Sequence, residues 1–182
     1  MILTSKNGKN ERSAIEKSDA KFKFDYHLLE AQRLKLLGKY DEALRELERA
    51  KNYKKDEGVL FYELAEINSQ NGYYSDAVKY AQKAVDLEPE NIWYHILLSQ
   101  LFQSTGLYAD ASDEMEKIIE LQPNKMEYYF MLATLYKSIG KPKKAISTLD
   151  DAEDFFGITD IISVEKVKYY QAMGKNKNAV KE

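Results

Sequence analysis

Few side chains in this chain could combine to do acid-base, metal or nucleophilic chemistry. It carries 2 histidines, His27 and His95, 30 aspartates and glutamates, and no cysteine. The absence of thiols rules out disulfides and thiolate metal sites, and says nothing of the redox compartment. The imidazoles stand 68 residues apart (95 − 27), and there is no His-Glu-x-x-His pair, no phosphate-cradling glycine loop and no Gly-x-Ser-x-Gly elbow. Carboxylates are abundant, but charged helix surfaces supply them everywhere, and none forms a pair that stands out as acid and base. The expectation is a non-enzymatic protein with no catalytic, cofactor-binding or metal-binding residues.

The order in this sequence lies in its spacing. Gly38, Gly72, Gly106, Gly140 and Gly174 fall at 34-residue intervals (72 − 38 = 34), and so do Ala43, Ala77, Ala111, Ala145 and Ala179. Two small residues recurring in register five times mark a helical repeat array. Composition agrees, with 31% charged residues, only 3 Pro and only 8 Gly in 182 positions, a balance suited to helices joined by short turns. With the repeats stacked, His27 and His95 occupy equivalent places two units apart. That separates them by on the order of 20 Å or more, since packed helix axes lie 8–10 Å apart. They are therefore expected to be packing residues at a site that usually holds an aromatic.

These residues resemble the tetratricopeptide repeat, a helix-turn-helix unit, from about Phe24 to the end of the chain. Phe61, Leu64, Ala65, Gly72, Tyr74, Ala77, Ala84 and Pro89 follow its pattern throughout. The next repeat keeps Leu98, Phe102, Gly106, Tyr108, Ala111 and Pro123 but has His95, Ser99 and Ile118 elsewhere. The fourth has Tyr129, Leu132, Ala133, Tyr136, Gly140, Ala145, Leu149 and Ala152, with Pro142 in place of the aromatic. The first keeps Ala31, Gly38, Tyr40, Ala43 and Ala50, with His27 and Glu30 as departures. The fifth is degenerate, with Lys166 and Val167 at two of the pattern's positions, and its second helix is cut at Glu182. The resemblance implies an all-α, right-handed superhelical solenoid of four full repeats plus a partial fifth. The repeats would span about 24–57, 58–91, 92–125, 126–159 and 160–182, after a polar segment over 1–21.

Stop signals place the helices. First helices are expected near 24–37, 59–71, 92–105, 126–139 and 160–173, each ended by a glycine that tolerates a left-handed C-cap. Second helices are expected near 40–53, 74–87, 108–121, 142–155 and from 176. Pro142 suits a first turn, and Asn91 and Asn124 are candidate N-caps. Within a repeat the helices should cross at Ala65 and Ala77, Ser99 and Ala111, Ala133 and Ala145, with Phe61, Leu64, Tyr74, Leu98, Phe102 and Tyr108 filling around them. Ahead of the repeats, Ile15, Phe22, Tyr26 and Leu29 approximate a helical stripe, so helix is expected from about Ser13, with disorder or fraying at the extreme end.

In the family the first helices line a concave groove. Its candidate residues here are Leu28, Gln32, Tyr62, Glu66, Trp93, Ile96, Gln100, Phe130, Thr134 and Lys137. Tyr62, Trp93, Ile96 and Phe130 would anchor a peptide or partner segment, with polar neighbours bonding its backbone. Alternatively the same side chains pack on adjacent first helices or on the N-terminal segment folded back into the groove. The cationic clamp that chaperone-tail receptors of this family use is missing, because its places carry Leu28, Gln32, Glu63, Trp93 and Leu97. Glu63 and Glu66 would repel a carboxylate, so an apolar ligand with some basic character is expected.

Net charge of −3 gives no electrostatic case for nucleic acid or a membrane surface. RNA-reading helical repeats have a 35-residue period and basic grooves, unlike this chain. The runs Lys141/Lys143/Lys144, Lys166/Lys168 and Lys175/Lys177/Lys181, offset by Asp150, Asp151, Glu153 and Asp154, read as solvated outer faces. No stretch approaches the ~20 apolar residues that span a bilayer, and residues 1–21 lack the apolar core of a secretory signal. The chain therefore reads as soluble, cytoplasmic or, if a leader was trimmed, exported, and as part of a longer bacterial-type protein. A rival use of the scaffold is self-assembly, a homodimer through the terminal repeat, where Ile161, Ile162, Val164, Val167 and Tyr170 make one helix apolar on several sides.

Overall fold

The computed structural model describes residues 3–179 and 181, with side chains from residue 12 onward. Among the described residues there are helices and turns and no strand. The helices are α1 (Leu3–Leu36), α2 (Tyr40–Lys51), α3 (Gly58–Gln70), α4 (Tyr74–Leu87), α5 (Ile92–Ser104), α6 (Tyr108–Leu121), α7 (Met126–Ser138), α8 (Pro142–Phe156), α9 (Asp160–Ala172) and α10 (Asn176–Ala179). They fall into two compact units, Met1–Pro89 and Glu90–Glu182. In the first, α1 packs on α2 and α3 on α4, with α2 joining the pairs. In the second, α5 packs on α6 and α7 on α8, with α6 against α7, α8 against α9 and α9 against α10.

The helix boundaries lie within about two residues of their expected places, except at the N-terminus. There α1 starts at Leu3, ten residues before Ser13. No proline and one glycine, Gly8, interrupt the segment, and polar side chains change how a helix is solvated without preventing it from forming. The expected disorder at the extreme end falls on residues outside those described.

At each 34-residue glycine the backbone turns left-handed. At Gly106, φ is 77°. Its N–H donates to Gln103 (3.1 Å) and the Leu107 N–H to Phe102 (2.8 Å), which ties up two of the last carbonyls of α5 in a Schellman turn. Pro142 opens α8, as expected. Asn91 caps α5 by accepting from the Trp93 N–H at 3.2 Å. Asn124 does not cap α7, because the residue equivalent to Asn91 (91 + 34) is Lys125 and Asn124 stands one place too early to reach the first turn. Thr159 caps α9 instead, accepting from the Ile162 N–H.

The small residues are fully buried where paired helices meet: Ala65 and Ala77, Ser99 and Ala111, Ala133 and Ala145. The one hydroxyl among them is satisfied, since Ser99 Oγ donates to the Ala111 carbonyl at 3.1 Å. Tyr74 and Tyr108 depart from expectation. Each begins a helix, three residues before the crossing alanine, and stays about 40% exposed rather than filling the crossing. The core of the second unit instead draws Met115 and Ile118 from α6, Leu132 and Leu135 from α7, Leu149 from α8 and Ile162 from α9. Burying each such side chain contributes about 1.5–3 kcal/mol.

One buried charge sits where the repeat pattern wants leucine. Lys166 is the counterpart of Leu64, Leu98 and Leu132, and it is 5% exposed. Its ammonium lies 2.9 Å from Glu153 and 3.0 Å from Asp150, both on α8. The reading of this charge run as a solvated face therefore fails at Lys166, because ion pairing lets a lysine take an apolar site.

Candidate functional site

The ten groove candidates divide between the two units. In the first, Leu28 and Gln32 lie on α1 and Tyr62 and Glu66 on α3, all half-buried. A polar network joins three of them. Gln32 donates to Glu63 at 2.7 Å, Lys35 donates to Glu63 at 2.5 Å and also to Glu66, and the Tyr62 hydroxyl donates to Glu66 at 3.1 Å. Burial disfavours the Lys35 ammonium, but the two carboxylates outweigh it and hold its pKa above the ordinary lysine value. Glu63 is itself buried, so it is not the exposed repelling charge anticipated, and Lys35 offsets one of the two negative charges. Lys35, 28 residues before Glu63 in the sequence, carried no local signal of this role.

In the second unit, Trp93, Ile96 and Gln100 lie on α5, and Phe130, Thr134 and Lys137 on α7. Trp93 is 67% exposed, and Gln100, Thr134 and Lys137 are also exposed. Ile96 and Phe130 are half-buried and pack on the core. A hollow of about 220 Å³ opens between Gln103, Phe130, Met131, Thr134 and Leu135. It brings two of the candidates together with three neighbours. Lys137 lies 5.8 Å from the centre of the Tyr169 ring, close enough for a cation–π contact.

The histidines behave as packing residues. His27 Nδ1 donates to Glu46 at 2.7 Å, and His95 Nδ1 to Glu114 at 2.6 Å, each glutamate standing 19 positions on. In the second repeat the same two places hold Phe61 and Tyr80, stacked with centroids 6.4 Å apart. The repeat thus accepts either a hydrogen-bonded pair or an aromatic pair at this joint. Among the described residues no group of three or more His, Asp or Glu is arranged to hold a metal ion.

On the terminal helix α9, Ile162 is fully buried in the core and is not part of a free face. Val167 and Tyr170 are half-buried, while Ile161 and Val164 are exposed. Phe155 and Ile158 extend the exposed apolar surface, and Ile158 is 85% exposed. Among the described residues no helix is long and apolar enough to cross a membrane.

Sequence and structure comparisons agree on this architecture. A family model described as tetratricopeptide repeat matches residues 68–134, and a second with the same description matches 127–154. No curated protein matches the chain. Among solved structures, MamA (residues 41 to the end) from Desulfovibrio magneticus RS-1 is similar over 87% of this chain and 90% of its own, with 19% identity and a TM-score of 0.69. YrrB, described as a TPR protein with an unusual peptide-binding site, is similar over 85% and 80%, with 15% identity and a TM-score of 0.68. A thermophilic TPR protein of Thermus thermophilus is similar over 86% of both chains, with 21% identity and a TM-score of 0.54. From the glycine turns, the small-residue crossings and these matches together, residues 68–154 of the chain belong to the tetratricopeptide repeat family.

Proposed function

We propose that this chain is a non-enzymatic interaction scaffold that holds a peptide or partner segment on the first-helix face of its second unit. The repeat fold supports a protein-interaction scaffold in general. The observation that carries it is the hollow beside Phe130 and Thr134, together with the heavily exposed Trp93 on the neighbouring first helix. An indole left in water is a large apolar surface awaiting cover, and aromatic anchors dominate such interfaces. Exposed Gln100 and Thr134 would bond the backbone of an extended segment. YrrB, a TPR protein with a peptide-binding site, makes this use of the fold a precedent. The first unit offers a different surface, in which Tyr62 and Glu66 are already engaged with their neighbours.

Trp93 is the only tryptophan, so its emission reports on this face directly. A peptide selected from a displayed library should shift that emission to the blue. Its affinity should fall at least tenfold, roughly the value of one hot-spot side chain, in Phe130→Ala. It should fall further in Trp93→Ala/Phe130→Ala, where a labelled peptide replaces the lost indole signal. Equal affinity for wild type and the double variant would end this reading.

A second reading, self-association, rests on the exposed Phe155, Ile158, Ile161 and Val164. Sedimentation at several concentrations separates the two. A dimer abolished by Ile161→Glu favours assembly, and a monomer that binds peptide favours the scaffold.

A further inference from the structure

A cleft of about 480 Å³ opens on a different stripe of α7, between that helix, α6 and α8. Its floor includes the rings of Tyr129 and Tyr136, and Glu116, Glu120 and Asp151 stand around it with a single cation, Lys144. The two ends of the cleft differ. At one end, Lys144 lies 4.8 Å from the centre of the Tyr136 ring and donates to its hydroxyl at 3.3 Å, while that hydroxyl donates to Glu116. Burial, reinforced by Glu116, pushes the Tyr136 hydroxyl far above its ordinary pKa. On the rim, Glu120 pairs with Lys117 at 2.6 Å.

The other end has no such partners among the described residues. Tyr129 is 95% buried (5% exposed), its ring edge-on to Phe156 at 5.7 Å. Its hydroxyl opens onto the cleft and makes no hydrogen bond among the described residues. Asp151 has no ion pair, and burial followed by the charges of Asp150 and Asp154 holds its carboxyl above the ordinary carboxylate range. Lys166 neutralises the Asp150 and Glu153 side of α8 and leaves Asp151 facing the cleft uncompensated.

We infer that this cleft is a binding site for an alkylguanidinium group, the side chain of an arginine on a partner protein. Guanidinium is flat, keeps its charge in a partly dry site, and presents forked N–H donors. Two of those donors suit the Asp151 carboxylate, a third suits the open Tyr129 oxygen, and the plane lies against aromatic carbon. The volume falls within the range of specific ligand pockets and accommodates the side chain with some flanking backbone. A lysine ammonium would use one oxygen at a time and leave the Tyr129 hydroxyl unmatched. The site is separate from the one around Trp93 and Phe130, and either can fail alone.

The test is calorimetric titration of the whole chain with the capped pentapeptide Gly-Gly-Arg-Gly-Gly, its citrulline counterpart, and agmatine. The arginine peptide should bind and the citrulline peptide should bind roughly tenfold or more weaker, because it keeps the shape and loses the charge-assisted bonds. Asp151→Asn should weaken the arginine peptide by a similar factor and Tyr129→Phe by several-fold. Trp93→Ala should leave it unchanged. Circular dichroism of Tyr129→Phe, which retains the ring, should match wild type. No binding of the arginine peptide, or binding insensitive to both substitutions, would overturn the site. Agmatine binding at least as tightly as the peptide would overturn its assignment to a protein side chain.

Discussion

Lys166 offers the sharpest test of how this array tolerates departures from its pattern. Its ammonium joins α9 to α8 through Glu153, whose side chain is 18% exposed, and Asp150, which is 52% exposed. Lys166→Ala opens a cavity and strands Glu153, a combination that should cost about 3–5 kcal/mol. Lys166→Leu restores the residue type of the three middle repeats, and the gain from burying leucine, about 1.5–3 kcal/mol, partly offsets the stranded carboxylate. A net loss of about 1–2 kcal/mol is expected, set by the unpaired charge. Lys166→Leu/Glu153→Leu removes both charges and should match or exceed wild type by up to about 4 kcal/mol. Asp150 matters less, because it simply rehydrates. Terminal repeats open on their own, so hydrogen exchange of the α9 amides should be read alongside urea denaturation. If Lys166→Leu alone proves as stable as the double variant, Glu153 has no need of its partner and the reasoning fails.

Three further outcomes follow from the packing. Ala111→Leu places a large side chain in a fully buried crossing and should cost about 1–3 kcal/mol by overpacking, read as a lowered thermal midpoint. His95→Phe strands Glu114, which is 16% exposed, and should cost about 1–3 kcal/mol; copying the second repeat's pair with His95→Phe/Glu114→Tyr should recover most of that loss in the same melt. Asp151 binds its proton more tightly in the folded than in the unfolded chain, so its favourable contribution exists below the ordinary value of 3.8 and is lost as pH rises through the raised folded value. Asp151→Asn should therefore raise the midpoint at about pH 7, and the gain should vanish in melts below the ordinary carboxylate value.

The period carried most of the fold. Gly106 and Ala111 alone fix a turn and a crossing, because each excludes nearly every other residue for a separate reason: backbone handedness in one case and space in the other. The candidate site was only partly legible. Repeat position placed Trp93 on α5 and Phe130 on α7, yet it could not reveal that Lys35 would pair with Glu63 and Glu66, since that network depends on how α1 and α3 come together. Nor could it separate Lys166 from its exposed neighbours Lys141 and Lys168, because burial of a lysine depends on carboxylates that another helix happens to present. The cleft above Tyr129 was hidden for the opposite reason. Tyr129, Tyr136 and Asp151 each look ordinary in sequence, and only the missing hydrogen bond distinguishes the first.

The turn at Gly106 has a further consequence. A methyl group placed there meets nothing within 4 Å, so the position is restricted by chirality and not by crowding. An L-alanine must be forced into its disfavoured φ at a cost of about 1–2 kcal/mol. A D-alanine introduced by peptide ligation would find that same φ comfortable and would stiffen the unfolded chain. One carbon atom, added on either side of the same α-carbon, should loosen the hinge or tighten it.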